Sequence, residues 1–216
     1  MSGKSANPAP LGLLGFGMST ILLNFLLIIQ SVKDVKTIGQ IDAMIIGMGI
    51  FYGGLAQIIA GILEYKRGNT FTMVAFTSYG LFWLSFITLN WLGTNSVARA
   101  GIMPFLGGPY YGTPWLVSNE AFAAYFFMWG IFTSVMFFGT LKANRTLQFF
   151  FISLAVLFFL LAAKSVIQVY DAISTEHLAI FTRAIGTEGV ICGASAVYLA
   201  LAEVLNEMHG KTMLPT

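Results

Sequence analysis

Charged side chains are scarce in this chain. Only 9% of its 216 residues are Asp, Glu, Lys or Arg, whereas 57% are hydrophobic. An average soluble domain carries about 25% charged residues. The net charge of +2 is small and the basic residues are scattered, so we expect no nucleic-acid partner. The composition predicts a membrane protein with several spans.

Histidine and cysteine are also scarce, which limits the chemistry that the chain can perform. Cys192 is the single cysteine, which excludes an intramolecular disulfide and a multi-cysteine metal site. The two histidines, His177 and His209, lie towards opposite ends of the last apolar segment, so a haem held by two mid-membrane histidines is not expected. We therefore expect no catalytic residues, no metal and no cofactor.

Six largely apolar segments are long enough to cross a bilayer. A membrane-spanning helix needs about 20 apolar residues. The predicted spans are 11–29, 43–63, 71–92, 121–141, 147–170 and 184–202. The sequence therefore predicts an all-α integral membrane domain over 11–202, between an N-terminal segment at 1–10 and a tail at 203–216.

The short turn at 64–70 joins the second and third spans into a helical hairpin. Gly68 suits a left-handed helix end, and Asn69 or Thr70 suits the start of the next helix. Pro8 and Pro10 likewise suit a first turn, with Asn7 as the cap of the first span.

An even number of spans places both termini on one side of the membrane, and the distribution of positive charge favours the cytoplasm for that side. The inner segments then hold Lys4, Lys66, Arg67, Lys142, Arg145 and Lys211, and the outer ones hold Lys33, Lys36, Arg99 and Arg183.

Neutral polar residues interrupt two of the spans. Thr20 and Asn24 lie in the first span, and Gln57 lies in the second on a face with Gly49, Gly53 and Gly61. Small residues allow helices to approach closely, and an amide in lipid needs a partner. We expect Gln57 to point into the bundle, as an interhelical hydrogen bond or as part of a polar path.

Two charged residues also fall within predicted spans. Lys164 can snorkel to the interface, and Glu188 can reach the headgroups or pair with Lys164. No basic residue stands at the middle of a span. A path of small residues, neutral polar groups and aromatic rings suits a small, weakly polar solute such as a monocarboxylate.

Several groups of residues, in order along the chain, resemble the acetate uptake transporter family, which includes bacterial succinate–acetate permeases and fungal acetate and ammonia-export proteins. The most specific group is NPAPLGL at 7–13, followed by Gly15 and Phe16. The others are Gly53-Gly54 with Gln57, Ala60-Gly61, Glu64 and 68–71; 75–80 with Phe82-Trp83; Trp129, Phe132-Thr133, Met136, 139–141 and Leu147; and 192–196 with Tyr198 and Leu214-Pro215.

The resemblance implies a homohexamer in the cell membrane, with a separate pathway in each six-helix protomer for acetate and related small carboxylates such as succinate, and it leaves open whether protons accompany them. It implies a hydrophobic constriction of Phe16, Tyr79 and Leu154. The further pathway residues that we expect are the polar or size-limiting Gln57, Asn24, Thr20 and Ala196, and the cytoplasmic mouth at Asn7, Pro8 and Pro10, where a helix N-terminus favours an anion.

Three functional hypotheses therefore stand beside one another. The first is a permease or channel for acetate, the second a channel for a neutral solute such as ammonia, and the third a non-transporting membrane protein for signalling or scaffolding. Packing is the alternative role for Phe16, Tyr79 and Leu154. The sequence does not determine whether acetate moves alone or by symport with a proton.

Overall fold

The computed structural model describes residues 6–32, 44–94 and 117–216, and this part of the chain is a bundle of long helices. The helices are α1 (Ala9–Gln30), α2 (Met44–Lys66), α3 (Thr70–Thr94), α4 (Asn119–Gly139), α5 (Arg145–Tyr170) and α6 (Thr175–His209). All six are long and apolar enough to cross a membrane. The predicted all-α membrane fold with six spans is therefore confirmed. Most of the segment between the third and fourth predicted spans lies outside the described residues, as do Lys4, Lys33, Lys36 and Arg99.

The start of α1 differs by one position from the prediction. Pro8, rather than Asn7, occupies the cap position, and Pro10 lies in the first turn. Asn7 still satisfies the helix end, because the Ala9 N–H donates a hydrogen bond of 3.2 Å to the Asn7 side-chain oxygen. Pro8 and Pro10 are both buried.

The α2–α3 hairpin turn has the predicted geometry. Gly68 has a φ of +74°, which a residue without Cβ adopts readily. The Asn69 side chain accepts a hydrogen bond from the Thr72 N–H at 3.3 Å. Glycine ends α2 and asparagine caps α3, as the residue order predicts.

The middle of α2 is wider than a regular α-helix, which the sequence did not predict. Residues Gly49–Ala56 form a π-helical segment, and Gln57 begins the regular α-helical part. Such segments are rare and are frequent at functional sites. Gly53 faces the Trp83 ring so closely that a Cβ built on it would lie 2.8 Å from ring carbons. The glycines of α2 therefore bring its backbone against α3.

Helix α6 is much longer than the predicted sixth span. It begins at Thr175, where the Ser174 hydroxyl accepts a hydrogen bond from the His177 N–H at 3.3 Å, and ends before Gly210, whose φ is +63°. At about 1.5 Å per residue its 35 residues measure about 52 Å, against about 30 Å of hydrocarbon. Most of the polar connector predicted at 171–183 is therefore helical.

Helices α1 and α6 pack along one another at the centre of the bundle. A Cβ built on Gly17 would lie 2.7 Å from the Gly193 carbonyl oxygen, and one on Gly193 would lie 2.7 Å from that of Gly17. The backbones are thus in direct contact, which glycine permits at both positions. Helix α5 packs on α6 and on α4, and α3 packs on α2.

Candidate functional site: two vestibules and a constriction

Two cavities lie one above the other in the bundle, and Phe16 lines both. The terminal-side vestibule, about 240 Å³, lies at the end of the bundle that carries Asn7 and Glu203. The far vestibule, about 250 Å³, lies between the second halves of α1, α3 and α5 and the start of α4. Both cavities lie within one chain and share one side chain, which is the arrangement expected on the two sides of a constriction.

The three residues that the sequence analysis assigned to a constriction all line these two cavities. Phe16 lines both vestibules, Tyr79 lines the terminal-side vestibule and Leu154 lines the far vestibule. The exposed fractions of these side chains are 2%, 2% and 1%. The rings of Phe16 and Tyr79 meet edge to face, with their centroids 5.8 Å apart.

A hydrogen bond and a shell of aromatic rings hold Tyr79 in place. The Tyr79 hydroxyl lies 2.9 Å from the Thr133 hydroxyl of α4, which has no exposed surface. The rings of Trp129, Phe132 and Phe151 lie around Tyr79, at centroid distances of 6.1, 5.6 and 6.3 Å respectively. Tyr79 is therefore packed against other aromatic rings on several sides.

The wall of the far vestibule carries buried polar atoms without partners. Thr20, Asn24 and Trp83 line it and are at most 3% exposed. Within the described residues the Thr20 hydroxyl, the Asn24 side-chain oxygen and the Trp83 indole N–H make no hydrogen bond. Unpaired buried polar groups are destabilising unless water or a ligand reaches them. The predicted Thr20 and Asn24 thus provide polar groups for a small solute or for water.

The wall of the terminal-side vestibule carries Gln57 and a network of charged groups. Gln57 is 1% exposed, and its side-chain oxygen makes no hydrogen bond within the described part of the chain. Arg67 donates to the Asn7 side-chain oxygen at 2.8 Å and forms an ion pair of 2.9 Å with Glu64. The Asn7 amide donates to Glu203 at 2.9 Å. This network joins the start of α1 to the ends of α2 and α6 at the mouth.

Three of the predicted pathway residues do not line either vestibule. Ala196 has no exposed surface and belongs to the hydrophobic core, and Pro8 and Pro10 are buried beside Asn7. The prolines shape the start of α1, and Asn7 alone of the mouth motif faces the terminal-side vestibule.

Glu188 and Lys164 do not form the ion pair that the sequence left open. Glu188 accepts a hydrogen bond of 2.6 Å from the Ser153 hydroxyl, and its second oxygen is buried without a partner within the described ranges. Ser153 precedes Leu154 of the constriction. Lys164 lines the far vestibule instead.

Sequence reasoning did not assign Trp83 or Glu203 to these walls, or Thr133 to the support of Tyr79. All three lie within or beside quoted motifs, but their orientation depends on how α3, α4 and α6 pack. The vestibule position of Lys164 likewise depends on the rotation of α5. Among the described residues no three His, Cys, Asp or Glu side chains come together, so this part of the chain holds no metal cluster.

Comparison with known proteins shows the same family over the whole chain. The GPR1/FUN34/yaaH family profile matches residues 1–216. The succinate-acetate/proton symporter SatP of Escherichia coli K12 is 48% identical and covers 98% of this chain and 95% of its own. An uncharacterised protein of Methanothermobacter thermautotrophicus is 46% identical and covers 100% of this chain and 93% of its own. The solved structure of the bacterial acetate channel SatP superposes with a TM-score of 0.74 at 47% identity, covering 98% of this chain and 99% of its own.

Proposed function

The chain belongs to the GPR1/FUN34/yaaH family, and from that premise we propose that it is a multi-pass membrane permease for acetate. Succinate is the second carboxylate that we assign to it, because the E. coli relative is named for both. The observation that carries the proposal is Phe16 between two vestibules of one chain. We further propose that the protein resides in the cell membrane as a homohexamer with both termini in the cytoplasm.

The roles of the individual residues follow from their places. Phe16, Tyr79 and Leu154 form the constriction, which a methyl group passes more readily than a larger substituent. Polar groups on both sides replace part of the hydration shell of the solute; they are Thr20 and Asn24 in one vestibule and Gln57 and Asn7 in the other. The size-limiting role of Ala196 acts through the packing of α6, since its side chain lies in the core.

Proton symport is the mechanism that we assign. A carboxyl group beside the constriction supports it, since Glu188 is hydrogen-bonded to the residue before Leu154 and its second oxygen is unpaired. An ionisable group inside a span is a candidate for proton binding. Cys192, one turn further along α6, is a titratable neighbour of Glu188 among the described residues.

Uptake of radiolabelled acetate into liposomes that contain the purified protein tests the proposal. Empty liposomes correct for acetic acid that crosses lipid. Flux above that leak, reduced by excess succinate, supports a carboxylate permease, and accumulation beyond equilibrium under an inward proton gradient supports symport. Flux of ammonia that ignores acetate, or no flux from folded protein, would favour the neutral-solute or scaffold hypothesis.

A further inference from the structure

The two vestibules carry opposite charge, and the difference depends on Lys164. The terminal-side vestibule is lined by two carboxylates and one guanidinium group, those of Glu64, Glu203 and Arg67. Lys164 is the charged residue among those that line the far vestibule. Its neighbours on that wall are amides and a hydroxyl, namely Gln30, Asn90, Asn119, Ser165 and Gln168.

The Lys164 ammonium group has no counterion within the described ranges. The ion pair found there joins Arg67 to Glu64, at the other vestibule. Glu188, the acidic residue that the sequence analysis paired with Lys164, is bound to Ser153. Glu120, which follows Asn119 at the start of α4, is exposed and does not line the cavity. A partly buried ammonium group attracts an anion when the described residues that line its cavity include no carboxylate.

The register of α5 places this charge well away from the constriction. Leu154, Leu157, Leu161 and Lys164 line the far vestibule at helical spacing. Lys164 follows Leu154 by ten residues, which at about 1.5 Å per residue is about 15 Å along the axis. This separation between the two positions on α5 is larger than an acetate ion, so we place Lys164 before or after passage rather than in the constriction.

We propose that Lys164 is a carboxylate-capture site, whose ammonium group binds acetate or succinate in the far vestibule before the solute reaches Phe16. The inference rests on the proposed function. It adds a residue that binds the carboxylate and identifies the end of the path at which anions enter. Succinate carries two carboxylates, so it binds Lys164 more strongly than acetate does when both are ionised. The far vestibule is thus the loading end for anions.

Variants at Lys164 test this proposal in the same liposome assay. Lys164→Gln keeps the size of the side chain and removes its charge, so we expect the half-saturating concentration to rise about 3–10-fold for succinate and less for acetate. The maximal rate stays near that of the wild type, because the constriction is intact. Lys164→Arg retains the wild-type values. Lys142→Gln, at an exposed lysine after α4, is the matched control, and we expect it to leave the half-saturating concentration and the maximal rate unchanged.

Restoring a positive charge chemically at position 164 distinguishes the effect of the charge from that of the side-chain shape. Lys164→Cys accepts methanethiosulfonate reagents, and the native Cys192 is protected because it has no exposed surface. We expect a positively charged adduct to restore the half-saturating concentration and a negatively charged adduct to raise it further. Equal effects of the two reagents would overturn the proposal.

The outcomes distinguish this inference from the proposed function. Wild-type flux with unchanged constants in Lys164→Gln overturns the capture site and leaves the permease intact. No wild-type flux above empty liposomes overturns the permease. In that case, binding of succinate to the purified protein, measured by saturation-transfer NMR, decides the capture site: weaker binding by Lys164→Gln supports it, and equal binding overturns it.

Discussion

The Phe16 ring meets the Tyr79 ring edge to face at a centroid distance of 5.8 Å, and this contact lies where the two vestibules adjoin. The Tyr79 ring is held by Thr133 and by three other rings. Phe16 also contacts Phe150, with ring centroids 5.1 Å apart. Both rings of this contact are therefore packed against further aromatic rings.

Shortening Leu154 is expected to widen the range of solutes. Leu154→Ala removes a buried side chain of the constriction, so uptake of lactate should appear above the leak of empty liposomes. Leu157→Ala is the matched control, because Leu157 is also buried and lines the same vestibule one turn away. Both variants should lose about 2–5 kcal/mol of stability. Lactate uptake that is equal in the two variants would show that Leu154 does not limit size.

The Tyr79–Thr133 hydrogen bond is expected to stabilise the constriction. Tyr79→Phe leaves the Thr133 hydroxyl buried without its partner, which costs about 1–3 kcal/mol and lowers the melting temperature in detergent. The double variant with Thr133→Val removes both polar groups and should recover much of this loss. Tyr198→Phe is the control, since its exposed hydroxyl donates to the Pro215 carbonyl at 2.8 Å. Additive effects of Tyr79→Phe and Thr133→Val would contradict the expected coupling.

Close contact of α1 and α6 is expected to make Gly17 intolerant of a side chain. The Cβ of Gly17→Ala would lie 2.7 Å from both the Gly193 carbonyl oxygen and a Val197 methyl group. We expect a lower melting temperature and reduced flux, because the helices must separate. A Cβ on Gly47 in α2 meets nothing within 4 Å, so Gly47→Ala should be neutral or stabilising by up to about 1 kcal/mol. Equal melting temperatures for the two variants would argue against backbone contact as the cause.

Neutralising Glu188 is expected to uncouple acetate from protons. Glu188→Gln keeps an oxygen that accepts the Ser153 hydrogen bond but cannot bind and release a proton. Acetate should still equilibrate, while accumulation driven by an inward proton gradient should be lost. Glu176→Gln, at an exposed position near the start of the same helix, is the control. Full accumulation in Glu188→Gln would place the proton-binding group elsewhere.

Several residues of the candidate site could be predicted from the sequence, because they belong to motifs that occupy fixed positions in the fold. Phe16 follows the glycines at 12 and 15, and Tyr79 is the fifth of the six quoted residues 75–80. The structure places both on the wall of the terminal-side vestibule. Gln57, Thr20 and Asn24 were expected in the path because amides and hydroxyls are unfavourable in lipid. The structure places all three on vestibule walls.

Other features depend on long-range packing and were not predicted. The π-helical segment Gly49–Ala56 accompanies the close approach of α2 to Trp83. Glycines at every fourth position fit a regular α-helix equally well, so their spacing does not predict this segment. The extension of α6 to Thr175 was missed because a polar sequence resembles a loop when only hydropathy is considered. Lys164 was assigned to the interface, since a charge near a helix end usually snorkels there.

The sequence by itself determined that this protein crosses a membrane six times and belongs to a family of carboxylate transporters, because apolar length and ordered motifs are local properties of the chain. Only the tertiary structure decided which polar side chains share a vestibule, that Glu188 binds Ser153 rather than Lys164, and that one ammonium group faces the far vestibule. The reason is physical: the rotation of each helix about its axis depends on contacts such as Gly17 with Gly193, which join residues far apart in the chain.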